Sequence, residues 1–117
     1  MQGLLSTIRG MLMEWYQHLF VGKQAEKNRQ SLIDAIEKGD YSGKTWLITL
    51  AANPDNQLEL MAVKELKVAY HREHCRMIVG IAAGKKEAME VLTGIVQKTL
   101  DQTGGTDIRA YLMQTQK

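Results

Sequence analysis

An α/β domain, or an α+β one, is the fold class that this sequence predicts, on three observations. Arg76–Ala82 is a short apolar run, Arg-Met-Ile-Val-Gly-Ile-Ala, rich in β-branched residues as a buried strand should be. Lys85–Thr103 follows it after Ala83-Gly84 with apolar residues at helical spacing. Thr45–Ala51 is a second short run of β-branched, aromatic and aliphatic residues. The expected architecture is an N-terminal helical hairpin over residues 1–39 and an α/β core over residues 44–113. The core would hold a three- or four-stranded sheet, parallel or mixed, covered by the C-terminal helix.

In chain order, residues 1–22 place Leu4, Leu5, Ile8, Met11, Leu12, Trp15, Tyr16, Leu19 and Phe20 at spacings of one, three and four, the pattern of an apolar helical face. Arg9 and Glu14 are the only formally charged side chains there, and Gly22 is a natural helix stop. A helix so poor in charge must be covered, as core, as a subunit interface, or as both. A membrane-surface helix would carry more Lys and Arg on its polar face. Lys23–Gly39 is far more charged, with Ala25, Leu32, Ile33, Ala35 and Ile36 as a narrower apolar face, and makes the second arm of the hairpin. Asp40–Gly43 is a loop, and Asn53-Pro54-Asp55-Asn56 is turn chemistry that closes the Thr45–Ala51 strand.

Leu58–His74 reads two ways. As one helix it sets Leu58, Met61, Ala62, Leu66, Ala69 and Tyr70 on a shared face and implies a βαβαβ order with a parallel sheet. Alternatively, Leu58–Val63 is a strand in a hairpin with Thr45–Ala51, Lys64–Arg72 is a short helix, and the sheet is mixed. The polar turn between two short apolar runs favours the hairpin. Within Lys85–Thr103, Gly94 costs about 1 kcal/mol relative to Ala, which a close backbone approach would justify. Gly104-Gly105 ends that helix, and Asp107–Leu112 reads as the returning strand of a βαβ unit spanning Arg76–Met113.

The length, 117 residues, suits one domain with one core. The chain is 44% hydrophobic and 24% charged with a single proline, a globular and not a disordered composition. A net charge of +2 is too small and too dispersed for a nucleic-acid signature. Cys75, the only cysteine, permits no internal disulfide. With no signal-peptide pattern and no transmembrane-length apolar run, a cytoplasmic location is expected.

Three groups of residues are candidate sites. Gly80-Ile-Ala-Ala-Gly84-Lys85-Lys86 lies where a strand meets a helix N-terminus, a position that favours anions through free N–H groups and the helix dipole. It departs from a phosphate loop: three residues, not four, separate the glycines, and Lys86 stands where Ser or Thr would hold Mg²⁺. An anion site at Gly84, Lys85 and Lys86 is what survives. His71, His74 and Cys75 form a second group, two histidines three apart on a helix with a neighbouring thiolate, short of the four ligands of a structural zinc site. Asp40, Asp55 and Asp107 sit in turn or strand-entry positions and form no catalytic pair. No catalytic residue, cofactor or resident metal is expected.

The run Met77–Leu92, with Tyr70-His71-Arg72 before it, resembles small bacterial α/β proteins of unassigned function in which an Ile-Val-Gly-Ile-Ala strand turns into a helix bearing Glu-Ala near its start. The resemblance covers about residues 53–113 and implies a similar core without assigning any functional residue. The leading expectation is a non-enzymatic interaction or regulatory module. It would self-associate, or meet another protein, through the apolar N-terminal helix at Leu5, Ile8, Leu12, Trp15, Tyr16 and Leu19. The alternative is a small ligand-binding or enzyme domain using the Gly84-Lys85-Lys86 helix N-terminus.

Overall fold

A computed structural model describes residues 13–116. The chain builds a four-stranded mixed sheet from β1 (Trp15–Val21), β2 (Trp46–Leu50), β3 (Leu58–Ala62) and β4 (Ile78–Ala82), in the order β1-β4-β2-β3. β1 runs parallel to β4, while β2 is antiparallel to both β4 and β3. The β2–β3 hairpin favoured by the turn residues is present, closed where the Asn56 N–H donates to the Asn53 carbonyl. Helices α1 (Lys23–Glu26) and α2 (Arg29–Glu37) follow β1. A 3₁₀ turn over Val63–Lys67 and α3 (Ala69–His74) lead into β4; α4 (Lys85–Thr103) and α5 (Ile108–Thr115) follow it.

Side-chain alternation along the strands divides the interior into two apolar layers. Ile48, Leu50 and Val79 pack with Ile95 of α4 and Leu112 of α5 on one face. Leu47, Ile78 and Ile81 pack with Ala25, Ile36 and Leu66 on the other. Alternation breaks in β4, where the register against β2 steps from Thr49↔Ile78 to Ile48↔Gly80 and leaves Val79 as the extra residue of a bulge. Gly80 is then turned to the α4 face, where an added Cβ would lie 3.1 Å from both Ile48 Cδ1 and Val91 Cγ1. This close approach sets how tightly α4 lies on the sheet.

Three expectations are corrected. The N-terminal helical hairpin is absent over the described residues: Trp15–Val21 is a strand, and the second arm is split into α1 and α2. The helix-like spacing in β1 comes from an irregularity against β4, whose register passes from Trp15↔Ile78 to Phe20↔Gly80. That bulge turns Trp15, Leu19 and Val21 to one apolar layer and Tyr16 and Phe20 to the other, with the Tyr16 and Phe20 rings stacked at 6.0 Å. The returning strand at Asp107–Leu112 is instead α5, because Asp107 caps it by accepting from the Ala110 N–H and Ile108 and Leu112 bury one turn apart. Gly94 is exposed with no neighbour near an added Cβ, so no close approach explains it.

Candidate functional site

The two parallel strands deliver the chain into helices at the same end of the sheet. β1 ends at Val21 and enters α1 through Gly22, whose N–H donates to the Ile81 carbonyl at 2.9 Å. β4 ends at Ala82 and enters α4 through Gly84. Two helix N-termini, each with unsatisfied first-turn N–H groups and a positive dipole end, therefore stand side by side.

One of them is filled from within. Glu87, in the first turn of α4, reaches across so that its carboxylate accepts from Gln24 N at 2.8 Å and Ala25 N at 3.2 Å in α1, and from Ala83 N at 2.8 Å. Burial pushes the Glu87 carboxyl up, but these three N–H groups outweigh it and hold it below its ordinary value. An added Cβ at Gly22 would occupy the place of the Glu87 carboxylate, so a larger residue there would push that side chain off its N–H donors. The charge of Glu87 is thus committed to fastening β1–α1 onto the start of α4.

The other N-terminus is not filled in this way. Gly84 has no side chain with which to meet the first-turn N–H groups of Lys85, Lys86 and Glu87, and an added Cβ there would meet nothing within 4 Å. Beside it is a hollow of about 360 Å³ lined by residues that include Gln24, Gly84, Lys85, Lys86 and Glu90. A neighbouring hollow of about 340 Å³ shares Ala83 and Gly84 and is lined also by Lys44, Trp46 and Lys64. Lys85 Nζ stands 5.8 Å from the centroid of the Trp46 ring, a cation–π contact. Four exposed lysines, Lys44, Lys64, Lys85 and Lys86, border the pair of hollows, against the committed Glu87 and the free Glu90.

No protein-family model, curated protein or solved structure matches the chain.

The other sequence candidates lie elsewhere. Leu5, Ile8 and Leu12 fall outside the described residues. Trp15, Tyr16 and Leu19 lie on β1: Tyr16 is 4% exposed inside the sheet's own core, and Trp15 donates its indole N–H to Glu37 Oε1 at 2.8 Å. His74 pairs with its own helix, its Nδ1 lying 2.7 Å from the Tyr70 carbonyl and its ring stacked on Tyr70 at 4.1 Å. His71 packs edge-on to the same ring. The Cys75 thiol donates to the Arg76 carbonyl, and burial, with the Glu59 charge, pushes its pKa up to about 11, which keeps it a thiol at neutral pH. Among the described residues no three His, Cys, Asp or Glu side chains gather as metal ligands, and no helix is long and apolar enough to cross a membrane.

Sequence reasoning reached Gly84, Lys85 and Lys86 but missed Glu87, Gly22, Trp46, Lys44 and Lys64. Glu87 carried a signal, since it stands three residues after the cap position, where a carboxylate reaches back to free N–H groups. Trp46 and the two outlying lysines carried none, because only the pairing of β2 with β4, and of β3 with β2, brings them to Gly84.

Proposed function

We propose that the protein is a binding module for a small anionic ligand, an organic phosphate being the best-fitting class, seated at the N-terminus of α4. The observation that carries the reading is the contrast at the shared end of the sheet. The N-terminus of α1 already holds an anion, the Glu87 carboxylate, while that of α4 faces a hollow edged by Lys85 and Lys86. Phosphate oxygens would take the first-turn N–H groups of α4 and the two ammonium groups. A flat apolar body on the ligand would extend over Trp46, with Lys44 and Lys64 at the far rim. These linings offer cations, N–H donors and an aromatic ring, and no nucleophile with a base beside it, so binding is the chemistry they support.

Inorganic phosphate and AMP serve as probes. Both should raise the melting temperature, AMP more strongly because it can also use the Trp46 ring. Lys85→Ala/Lys86→Ala should remove most of the rise, about tenfold in affinity if each exposed lysine contributes about 0.7 kcal/mol. No rise with either probe at millimolar concentration defeats the reading.

Self-association is a second reading, and one observation favours it. β1 follows soon in sequence after the apolar-rich residues 1–12 and is an edge strand of the sheet among the described residues. Light scattering of the wild type and Leu12→Glu tests it, with a dimer or larger species expected for the first and dissociation for the second. A wild type that stays monomeric at high concentration contradicts it.

A further inference from the structure

The outer side of β1 is met by a side chain that imitates a strand. Gln17 donates its main-chain N–H to Gln116 Oε1 at 2.7 Å, and Gln116 Nε2 donates to the Trp15 carbonyl at 3.2 Å. One primary amide therefore makes the donor–acceptor pair that a residue of a neighbouring strand would make. The segment after α5 is fixed in place for this. The Thr115 hydroxyl donates back to the Tyr111 carbonyl, so Tyr16 Oη donates to Thr115 Oγ1 at 2.6 Å, and Gln116 Nε2 also lies 3.5 Å from Met77 Sδ.

Edges that must stay single usually carry lysine, proline or inward charge. Trp15–Val21 reads Trp-Tyr-Gln-His-Leu-Phe-Val, with no Lys, Arg, Asp, Glu or Pro, a composition prone to strand addition. The irregularity against β4 lies between Trp15 and Phe20, so the Trp15 carbonyl stands at its start and the Gln17 N–H within it.

We infer that the Gln116 carboxamide is an edge guard, closing in cis a strand-addition surface on β1 whose partner, once it opens, is the same edge of a second copy of this chain. The occupant follows from self-complementarity. Twofold antiparallel pairing centred on Tyr16 sets Trp15 of one copy against Gln17 of the other, so each Gln17 N–H finds a Trp15 carbonyl and the two amide-mediated bonds are replaced by main-chain ones. The inference is independent of the ligand reading and deepens the self-association reading by naming the pairing surface and what controls it.

The test compares wild type, Gln116→Leu and Gln116→Leu/Gln17→Pro by sedimentation across a concentration series and by amide exchange. Proline at position 17 removes the outward N–H, and an edge strand tolerates that loss. Gln116→Leu should raise the association constant at least tenfold and, in its dilute monomer, speed exchange of the Gln17 amide at least tenfold. Exchange at Ile78, whose N–H donates to the Glu14 carbonyl inside the sheet, should stay as in wild type and shows that the fold is intact. Adding Gln17→Pro should return association to the wild-type level. The inference is overturned if Gln116→Leu changes neither exchange nor association, if exchange quickens without association, or if association survives Gln17→Pro. Any dimer that Leu12→Glu dissociates in the wild type bears on residues 1–12 alone, because the guard is read from the difference between the two Gln116→Leu proteins.

Discussion

The N-termini of α1 and α4 begin alike and end differently. Each follows a strand of the same parallel pair, each starts after a glycine, and each presents free N–H groups to the same end of the sheet. At α1 the glycine leaves room for a carboxylate from another element, which fills the N-terminus. At α4 the glycine is open on its Cβ side, and the hollow beside it is lined by Lys85 and Lys86 together with Glu87 and Glu90. The same local geometry serves as a structural joint where its anion is covalently supplied and, in the function we propose, as a receptor where it is not.

The largest effect should come from damaging the joint. Gly22→Ala puts a methyl group where the Glu87 carboxylate lies and pushes it off its three N–H donors, at a cost of about 1–3 kcal/mol, read as a lower urea midpoint. Combined with Glu87→Ala the loss should fall short of the sum of the single losses, since the second change removes the obstacle that the first one meets.

Glu87→Gln keeps the shape but discharges the joint, for an expected loss of about 1–2 kcal/mol at neutral pH. The pH dependence has a definite sign. The folded-state carboxyl lies below its ordinary value of 4.5, so its contribution is fully present above that value and disappears as the pH falls through the lower folded-state value. Wild type should therefore lose stability on acidification more steeply than Glu87→Gln, and parallel curves for the two would contradict the assignment.

Smaller changes separate the receptor from the helix that carries it. Gly84 has an extended backbone, φ −170° and ψ 179°, that serine can adopt, and a serine hydroxyl would cap α4. Gly84→Ser should raise stability by about 0.5–1 kcal/mol and weaken phosphate binding. Gly94→Ala, in the exposed middle of the same helix, should raise stability by about 1 kcal/mol and leave binding unchanged. If both stabilise and both spare binding, the anion is not held by the start of α4.

The contrast between the two N-termini also marks where the sequence stops being readable. α4 was legible to the residue, from Lys85 to Thr103, because its apolar period is long and glycines flank it. The β2–β3 hairpin followed from Asn53-Pro54-Asp55-Asn56 between two apolar runs, and a mixed sheet follows from it. β1 was not legible, since its bulge imposes spacings of three and four that a helix also produces. α5 was lost because Ile108, Ala110 and Leu112 imitate alternation, although Asp107 offered a cap. The long-range polar contacts had no periodicity to betray them. Gln57 accepts from the N–H groups of Ile108 and Arg109, Glu87 spans 62 residues to Ala25, and Gln116 spans 99 to Gln17. Each is a single side chain acting on distant main chain, and only the folded topology brings its partner near.

The central claim is the proposal that α4 offers an anion receptor beside an N-terminus that the chain fills itself. Calorimetric titration of AMP and inorganic phosphate into wild type, Lys85→Ala/Lys86→Ala and Gly84→Ser tests it most directly. Saturable one-to-one binding is predicted for wild type, about tenfold weaker for the lysine pair. Binding should also weaken in Gly84→Ser, which should melt at or above the wild-type temperature. Absence of saturable heat in the wild type, or binding equal in all three proteins, would contradict it.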